Sequence, residues 1–390
     1  MNRRNFVTSA CLGSASLVLD RLVPAAQKGA ERPLPPIKVH ALSQRKPSPL
    51  GMPGLFPGRV VEVFDPEAMA DHRVSQPVVR HMLERGMLEL TGENSVQAAW
   101  AKFLTPADVV GIKINPSGVP ACGTSPELIR EVIRSVEQVG VPHRNIVVYD
   151  RFDFQIKTGD YRKSLPTGIR IVGIESEYDR TGRSLEGYDR NVYWEARLFD
   201  ESEARSYMAS VVSQQVTKII NLPTLKDHSA AGVTGCLKNL SYGSFNNMGR
   251  THQPPHTFTD PLIGMMCAMD PLRSKAVLHI MDGMKQVWHG GPLTQLPEFI
   301  AETKTLYLGT DPVAVDMIEL ESIEAKRRQE GAPSLWECRP ESLTLNEEEF
   351  YHNPRKNLFC RQPEHVAAAG KLGLGISDRK RIDLARIRLG

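Results

Sequence analysis

The densest chemistry in the chain lies in one stretch, Lys218 to Gly243, which reads KIINLPTLKDHSAAGVTGCLKNLSYG. An apolar run through Ile219, Ile220 and Leu222 ends at Pro223. It gives way to Lys226, Asp227, His228, Thr234, Lys238 and Asn239, with Gly232, Gly235 and Gly243 among them. The two lysines offer positive charge to an anion, and the histidine offers a group that titrates near neutrality or ligates a metal. If Thr224 to His228 is extended, Lys226 and His228 project to the same side, because side chains alternate along a strand. A solvated loop carrying a lysine pair accounts for the same residues equally well. The Gly232-Val-Thr-Gly235-Cys-Leu-Lys238 run fails the phosphate-loop pattern, since no lysine directly follows a glycine. A backbone nest for an anion stays open.

Other candidates fall just beyond expected strands. Asn115, Asp150, Lys226 with His228, Asp282 and Asp311 each follow one. In a parallel sheet those carboxyl ends share an edge, and open α/β sheets bind ligands there. Polar residues also end strands as turn formers, and Asp311-Pro312 reads first as a helix cap followed by a first-turn proline. Asp282 follows an apolar strand and precedes Gly283. A carboxylate so placed holds a metal or positions a base about as readily as it caps a turn. His279, inside the same strand, reads as a packed core histidine. His252 and His256 have the i, i+4 spacing that suits zinc on a helix, but Pro254 and Pro255 exclude a regular helix, so an irregular loop would present them. Together with His228 and Asp282 they form an N/O set suited to a divalent metal. A surface histidine loop is the competing reading.

The elements that must position these groups are legible in outline. Arg59–Phe64 alternates as a strand, and Ser75–Leu90 and Val96–Phe103 have helical spacing. Asp108–Ile114 reads as a buried strand. Ser125-Pro126 then opens a helix whose apolar stripe is Leu128, Ile129, Val132, Ile133 and Val136. Gly140 and Pro142 stop it, and Asn145–Tyr149 follows as a strand. Strand, helix, strand is a βαβ unit, which predicts a parallel sheet. Further strands are predicted at Gly168–Ile174, Lys218–Leu222, Ala276–Met281 and Lys304–Leu308. Helices are predicted at Glu203–Gln215, Leu262–Met269, Val313–Arg328 and Glu364–Lys371, with Glu175–Asp200 as a polar covering excursion. The fold class expected is α/β: a mostly parallel sheet flanked by helices, with irregular insertions.

Composition narrows the function. The chain has 390 residues, 41% apolar and 24% charged, with a formal net charge of +3. That balance, with no Lys/Arg run, excludes a nucleic-acid binder. No apolar stretch reaches the ~20 residues of a membrane span. Cys11 lies near the N-terminus, and Cys122, Cys236, Cys267, Cys338 and Cys360 are scattered with no C-x-x-C, so no iron–sulfur cluster is expected.

The start of the chain reads as a targeting segment. Arg3 and Arg4 precede a weakly apolar region from Phe6 to Leu19, then small residues near Val23-Pro24-Ala25-Ala26. This is the three-part layout of an export signal, and the arginine pair with Phe6 resembles a twin-arginine signal. The expected partner is the twin-arginine export machinery, and the expected location is periplasmic or otherwise extracytoplasmic. The division expected is a signal over 1–26, a proline-rich linker or arm over 27–58, and one α/β domain over 59–390.

The segments VGIKINP (110–116), TSPELIREVIRSVEQVG (124–140), NLPTLKDHSAAGVTGCLKNLSYG (221–243), MDG (281–283) and GTDPVAVD (309–316) resemble the DUF362 family in that order, over a core of residues 105–325. The family's name assigns no function, so the resemblance implies residues rather than a reaction: Lys113, Asn115, Lys226, His228, Thr234, Lys238, Asn239, Asp282, Asp311 and Asp316. Many members carry ferredoxin-type cysteine clusters, and this sequence does not. The reading expected is an exported enzyme, metal-assisted, acting on a small anionic or carbohydrate-like molecule in a cleft at the carboxyl edge. Its catalytic groups are His228, Lys226 and Lys238. Lys113, Asn115, Thr234, Asn239 and Asp150 bind substrate, and His228, Asp282, His252 and His256 hold the metal. The alternative is a non-catalytic periplasmic binding or cofactor-handling protein.

Overall fold

The computed structural model describes residues 34–40, 48–177, 184–253, 256–337 and 362–390, with the backbone alone at 252, 253 and 256. The segment expected to be a signal, with Arg3 and Arg4, lies outside the described residues, as do Cys338 and Cys360. Ten strands build the main sheet among the described residues: β1 (Arg59–Phe64), β2 (Val110–Lys113), β3 (Ile146–Phe152), β4 (Arg170–Glu175), β5 (Lys218–Asn221), β6 (Thr224–His228), β7 (Ala276–Val287), β8 (Ile300–Gly309), β9 (Asp383–Arg388) and a short strand at Gly232–Val233. Six helices matter here: α1 (Gln76–Thr91), α2 (Pro126–Gln138), α3 (Gly235–Tyr242), α4 (Thr259–Ala268), α5 (Pro312–Gln329) and α6 (Glu364–Lys371). The order across the sheet is β9-β1-β8-β7-β5-β2-β3-β4, with β6 beside the far half of β7 and paired to a short strand at Gly232–Val233. Strands β7, β5, β2, β3 and β4 run parallel, whereas β8 is antiparallel to β7 and to β1. The sheet is mostly parallel and covered on both faces, an α/β fold.

Period-two alternation sorts the strand residues between two cores. Val61, Val63, Ile112, Val148 and Ile220 pack under α1 and α2. Val60, Val147, Ile219 and Met281 pack under α3, α4, α5 and α6. The helix starts follow their sequence signals. Ser125 Oγ accepts the Leu128 N–H ahead of Pro126, and Asp311 Oδ1 accepts the Ala314 N–H ahead of Pro312. No helix among the described residues is long and apolar enough to cross a membrane.

Three expectations change. Glu203–Gln215 is not one helix: Arg205–Ala209 is a strand paired antiparallel with Tyr188–Glu195, and Val211–Gln215 is a single π-helical turn. The Tyr207 N–H donates to Asn246 Oδ1 and its carbonyl accepts the Asn246 N–H, so pairing and burial outweigh a helix-like composition. The excursion before it is likewise ordered, since Tyr188–Glu195 also pairs with Lys38–His40. Second, β7 does not end at Met281 but runs to Val287, so Asp282 lies inside a strand with a register shift just beyond it. Third, because β8 is antiparallel, Asp311 emerges at the amino edge of the parallel strands and cannot join the carboxyl-edge group. There its carboxylate caps α5 and accepts the Gly58 and Ile376 N–H groups.

Candidate functional site

At the carboxyl edge β2 delivers Lys113 into a fully buried position. Its ammonium donates to Asp150 Oδ1 at 2.5 Å, the Ile114 carbonyl at 2.6 Å and Asn239 Oδ1 at 2.9 Å, so all three protons are engaged. Burial lowers its pKa against the opposing pull of Asp150. Gly243, the last residue of the conspicuous stretch, explains how α3 and its C-cap come so close. A β-carbon there would run into Lys113 Cε and Nζ. Asn239 continues the chain of contacts by donating to Asn221 Oδ1 at 2.8 Å. Asn221 in turn donates to the Cys236 carbonyl and to His279 Nδ1, both at 3.1 Å. Burial pushes His279 down to about 3, so the ring is neutral and its Nδ1 serves as an acceptor.

Strand β6 is extended as expected, and it carries Lys226 to full burial. Its ammonium donates to Asn115 Oδ1 at 2.7 Å and to the Ser117 carbonyl at 2.6 Å, with no carboxylate bonded to it among the described residues. Burial pushes its pKa down to about 8, and the Lys113 charge lowers it further against the pull of Cys122, Asp150 and Glu319. Lys238, one turn into α3, is 8% exposed. Its ammonium rests over the Tyr242 ring at 4.3 Å, and no ion pair to it exists among the described residues. Burial, then the charges of Lys226, Arg151 and Lys113, push it down to about 7. Thr234 lies four residues earlier on the same helical face, and its buried hydroxyl has no hydrogen-bond partner among the described residues. Arg151 is paired with Glu175 at 2.7 Å.

Beside the Gly232–Gly235 segment, left open as a backbone nest, two acids of α5 take up backbone donors at the start of α3 and on β6. Asp316 accepts the Cys236 N–H at 2.5 Å and the Leu237 N–H at 3.0 Å, and Glu319 Oε1 accepts the Lys226 N–H at 3.0 Å. Gly235, at φ +58°, leaves room for them: a β-carbon would stand 2.5 Å from both Asp316 Oδ1 and Glu319 Oε2. Burial raises both acids, Asp316 to about 7. Spacing pointed to Asp316 only through a family resemblance. Glu319, three residues on along the same face of α5, was missed, although i, i+3 spacing could have linked the two.

Of the four expected metal ligands, only Asp282 and His228 have described side chains. Asp282 accepts the Ser125 N–H at 2.7 Å, the Ser125 hydroxyl at 2.6 Å and the Met284 N–H at 3.0 Å. It therefore ties the start of α2 to the sheet, the structural role that competed with metal binding. Burial raises its pKa. His228 Nδ1 accepts the Ala230 N–H at 3.1 Å, four residues along β6 from Thr224, the residue opposite Asp282. His252 and His256 sit on a two-stranded ribbon, His252–Gln253 against His256–Thr257, and their side chains lie outside the description. Among the described residues no three His, Cys, Asp or Glu side chains cluster to hold a metal. Asp227, on the opposite side of β6, accepts the Gly291 N–H at 2.8 Å, and burial pushes it up to about 7.

Of the expected site residues, Lys113, Asn115, Asp150, Lys226, Lys238 and Asn239 belong to one buried cluster at the carboxyl edge, and Thr234 is one turn from Lys238. Asp282 and His228 lie on neighbouring strands, Asp282 bonded to Ser125 and Met284. A family model described as a domain of unknown function, DUF362, matches residues 110–321. No curated protein matches the chain. A solved protein from Thermotoga maritima aligns at 9% identity over 53% of this chain and 50% of its own, with a TM-score of 0.34. The chain thus spans about half the length of that protein.

Proposed function

Because the chain belongs to the DUF362 family, whose name assigns no reaction, we propose its function from its own residues: an exported enzyme acting on a small anionic molecule at the carboxyl edge of its sheet. The observation that carries this is Lys238, a buried cation with no carboxylate beside it among the described residues. A buried charge is costly unless it is paired. Burial, and then two other lysines and an arginine, depress its pKa, and an arriving anion offsets the repulsion. The Thr234 hydroxyl, also without a partner there, supplies the second contact.

The chemistry proposed is proton transfer next to the bound anion. A lysine near 7 exists as both amine and ammonium at neutral pH, the condition for general acid–base work. Lys226, at about 8, also changes its protonation close to neutral pH, and its charge acts on Lys238. Lys113, Asn115, Asp150 and Asn239 hold the lysines in place. His228 keeps its place in the proposal as a proton carrier or as a ligand for a recruited metal, and elemental analysis of protein purified without an affinity metal decides between the two. Export rests on Arg3, Arg4 and the apolar region to Leu19.

One observation favours the alternative, a binding protein: Lys113 and Lys226 direct their donors to protein acceptors, leaving one cation for the ligand. The test is incubation of purified protein with a panel of small phosphorylated and carboxylated compounds. Depletion is followed by mass spectrometry and stability by thermal shift, with Lys238→Met as control. The enzyme reading expects one compound to be consumed only when Lys238 is present. A compound that stabilises the wild type without being consumed supports the binding protein. If no anion is either consumed or stabilising, both readings fail.

A further inference from the structure

A cavity of about 500 Å³ opens between the start of α2 and the middle of β7. Its walls are the 119–125 loop that follows β2, the 158–161 turn, Thr224 and the 282–285 stretch, with Arg73 also lining it. The volume is within the range of small-molecule pockets. None of the lysines of the carboxyl-edge cluster lines it. Lys226 is directed instead at Asn115 and Ser117, on the loop that leads to the cavity wall. We infer that this cavity is a second binding site, for a small organic oxyanion: a carboxylate or phosphate ester on a compact apolar skeleton.

The charges of the lining set the sign of the ligand. Three carboxylates line the cavity, and each is engaged elsewhere. Glu127 accepts Arg130 at 2.6 Å, Asp160 pairs with Lys163 at 3.0 Å, and Asp282 is held by Ser125 and Met284. The two full cations of the lining, Arg73 and Lys285, have no ion pair among the described residues. Lys285 Nζ makes only a 3.4 Å contact to the Ala121 carbonyl. Burial raises the Cys122 thiol, so it stays protonated and brings no competing negative charge.

A second, independent observation concerns Thr224. It lines the cavity at 1% exposure, and its buried hydroxyl has no hydrogen-bond partner among the described residues apart from the weak thiol of Cys122 nearby. Buried hydroxyls in native structures are nearly always paired. An oxygen of the ligand supplies the missing partner, while Lys285 and Arg73 take its charge. Val119, Pro120 and Met284 provide the apolar wall for the skeleton. The site does not rest on the reading of Lys238.

The probes are benzoate, its neutral counterpart benzamide, and phenyl phosphate, titrated calorimetrically into the full chain at low ionic strength. Benzoate or phenyl phosphate should bind, and the tighter of the two identifies the oxyanion. Benzamide should bind at least about tenfold more weakly, as should benzoate to Lys285→Gln, since a hydrogen bond to a charged group is lost. Thr224→Val, which keeps the side-chain volume, should also weaken binding, and both losses should persist in a Lys238→Met background, which removes the carboxyl-edge lysine from the measurement. Circular dichroism confirms that each variant is folded. Equal binding of benzamide, full affinity in folded Lys285→Gln, or no binding of either anion overturns the inference. Loss of benzoate binding in Lys238→Met alone overturns it too, and moves the anion to the lysine cluster.

Discussion

Replacing Lys238 by methionine should make the protein more stable, although the same change should abolish anion binding at the carboxyl edge. Methionine matches the length and apolar stem of lysine, and the site already offers the Tyr242 ring and surrounding burial. The wild-type ammonium, in contrast, is desolvated and repelled by Lys226, Arg151 and Lys113, which is why its pKa falls from 10.5 to about 7. At about 1.4 kcal/mol per pH unit, that displacement sets a ceiling of roughly 5 kcal/mol at neutral pH, and water penetration and relaxation reduce it to a few kcal/mol. The sign with pH follows from linkage. Between about 7 and 10.5 the unfolded chain binds more protons than the folded one, so wild-type stability from this group rises with pH. The advantage of the variant should therefore be largest at or below pH 7 and shrink by about 2 kcal/mol toward pH 9. Urea unfolding of both proteins at pH 6, 7, 8 and 9 measures it. A variant that is less stable than wild type at pH 7, or an advantage that does not change with pH, refutes the reasoning, because either result means that Lys238 has an anionic partner within the protein itself.

Other consequences of the same geometry can be checked directly. Gly243→Ala should displace the Lys113 ammonium from Asp150 and Asn239 and destabilise the fold by about 3–5 kcal/mol, the cost of breaking a buried pair, read by denaturant unfolding. Asp227, raised to about 7 from 3.8, stays protonated in the folded chain while the unfolded chain ionises. Its contribution is thus fully present below about pH 4 and lost as pH rises to 7, so Asp227→Asn, which keeps the acceptor for the Gly291 N–H, should flatten the decline measured by thermal unfolding across that range. Replacing Arg3 and Arg4 with lysine should trap the precursor in the cytoplasm, detected by cell fractionation. Normal export of that variant would end the twin-arginine proposal.

The sequence carried the frame of this site better than its wiring. The βαβ unit around α2 was legible because Ser125-Pro126, the apolar stripe and Gly140 are all local signals. Burial of both faces of β2 and β5 showed in adjacent apolar residues, Val109 and Val110 with Ile112 at one and Ile219 with Ile220 in the other. What local signals do not contain is direction. Asp311 ends a strand as surely as Asn115 does, yet β8 runs antiparallel and takes it to the other edge. Asp282 looked like a strand terminus because Gly283 follows it, and only the pairing with β8 carries β7 on to Val287. The lysines were visible as residue types. Which of them is bonded to other side chains was not, since Lys113 meets Asp150 and Asn239 from positions 37 and 126 residues away. The filling of the α3 N-terminus by Asp316 and Glu319, and the cavity beside Thr224, depend on contacts of the same long range.

The central claim is that Lys238, a buried amine with no ion pair among the described residues, accepts an anion. Its own titration tests this most directly. Lysine labelled with ¹³C at the ε-carbon, assigned by comparison with Lys238→Met, reports the protonation of each side chain by NMR across pH. Lys238 is expected to titrate near 7 in the protein alone. On addition of inorganic phosphate at low ionic strength its pKa should rise, because a nearby anion favours the charged form. A Lys238 signal that titrates near the ordinary 10.5 and does not respond to phosphate would contradict the account.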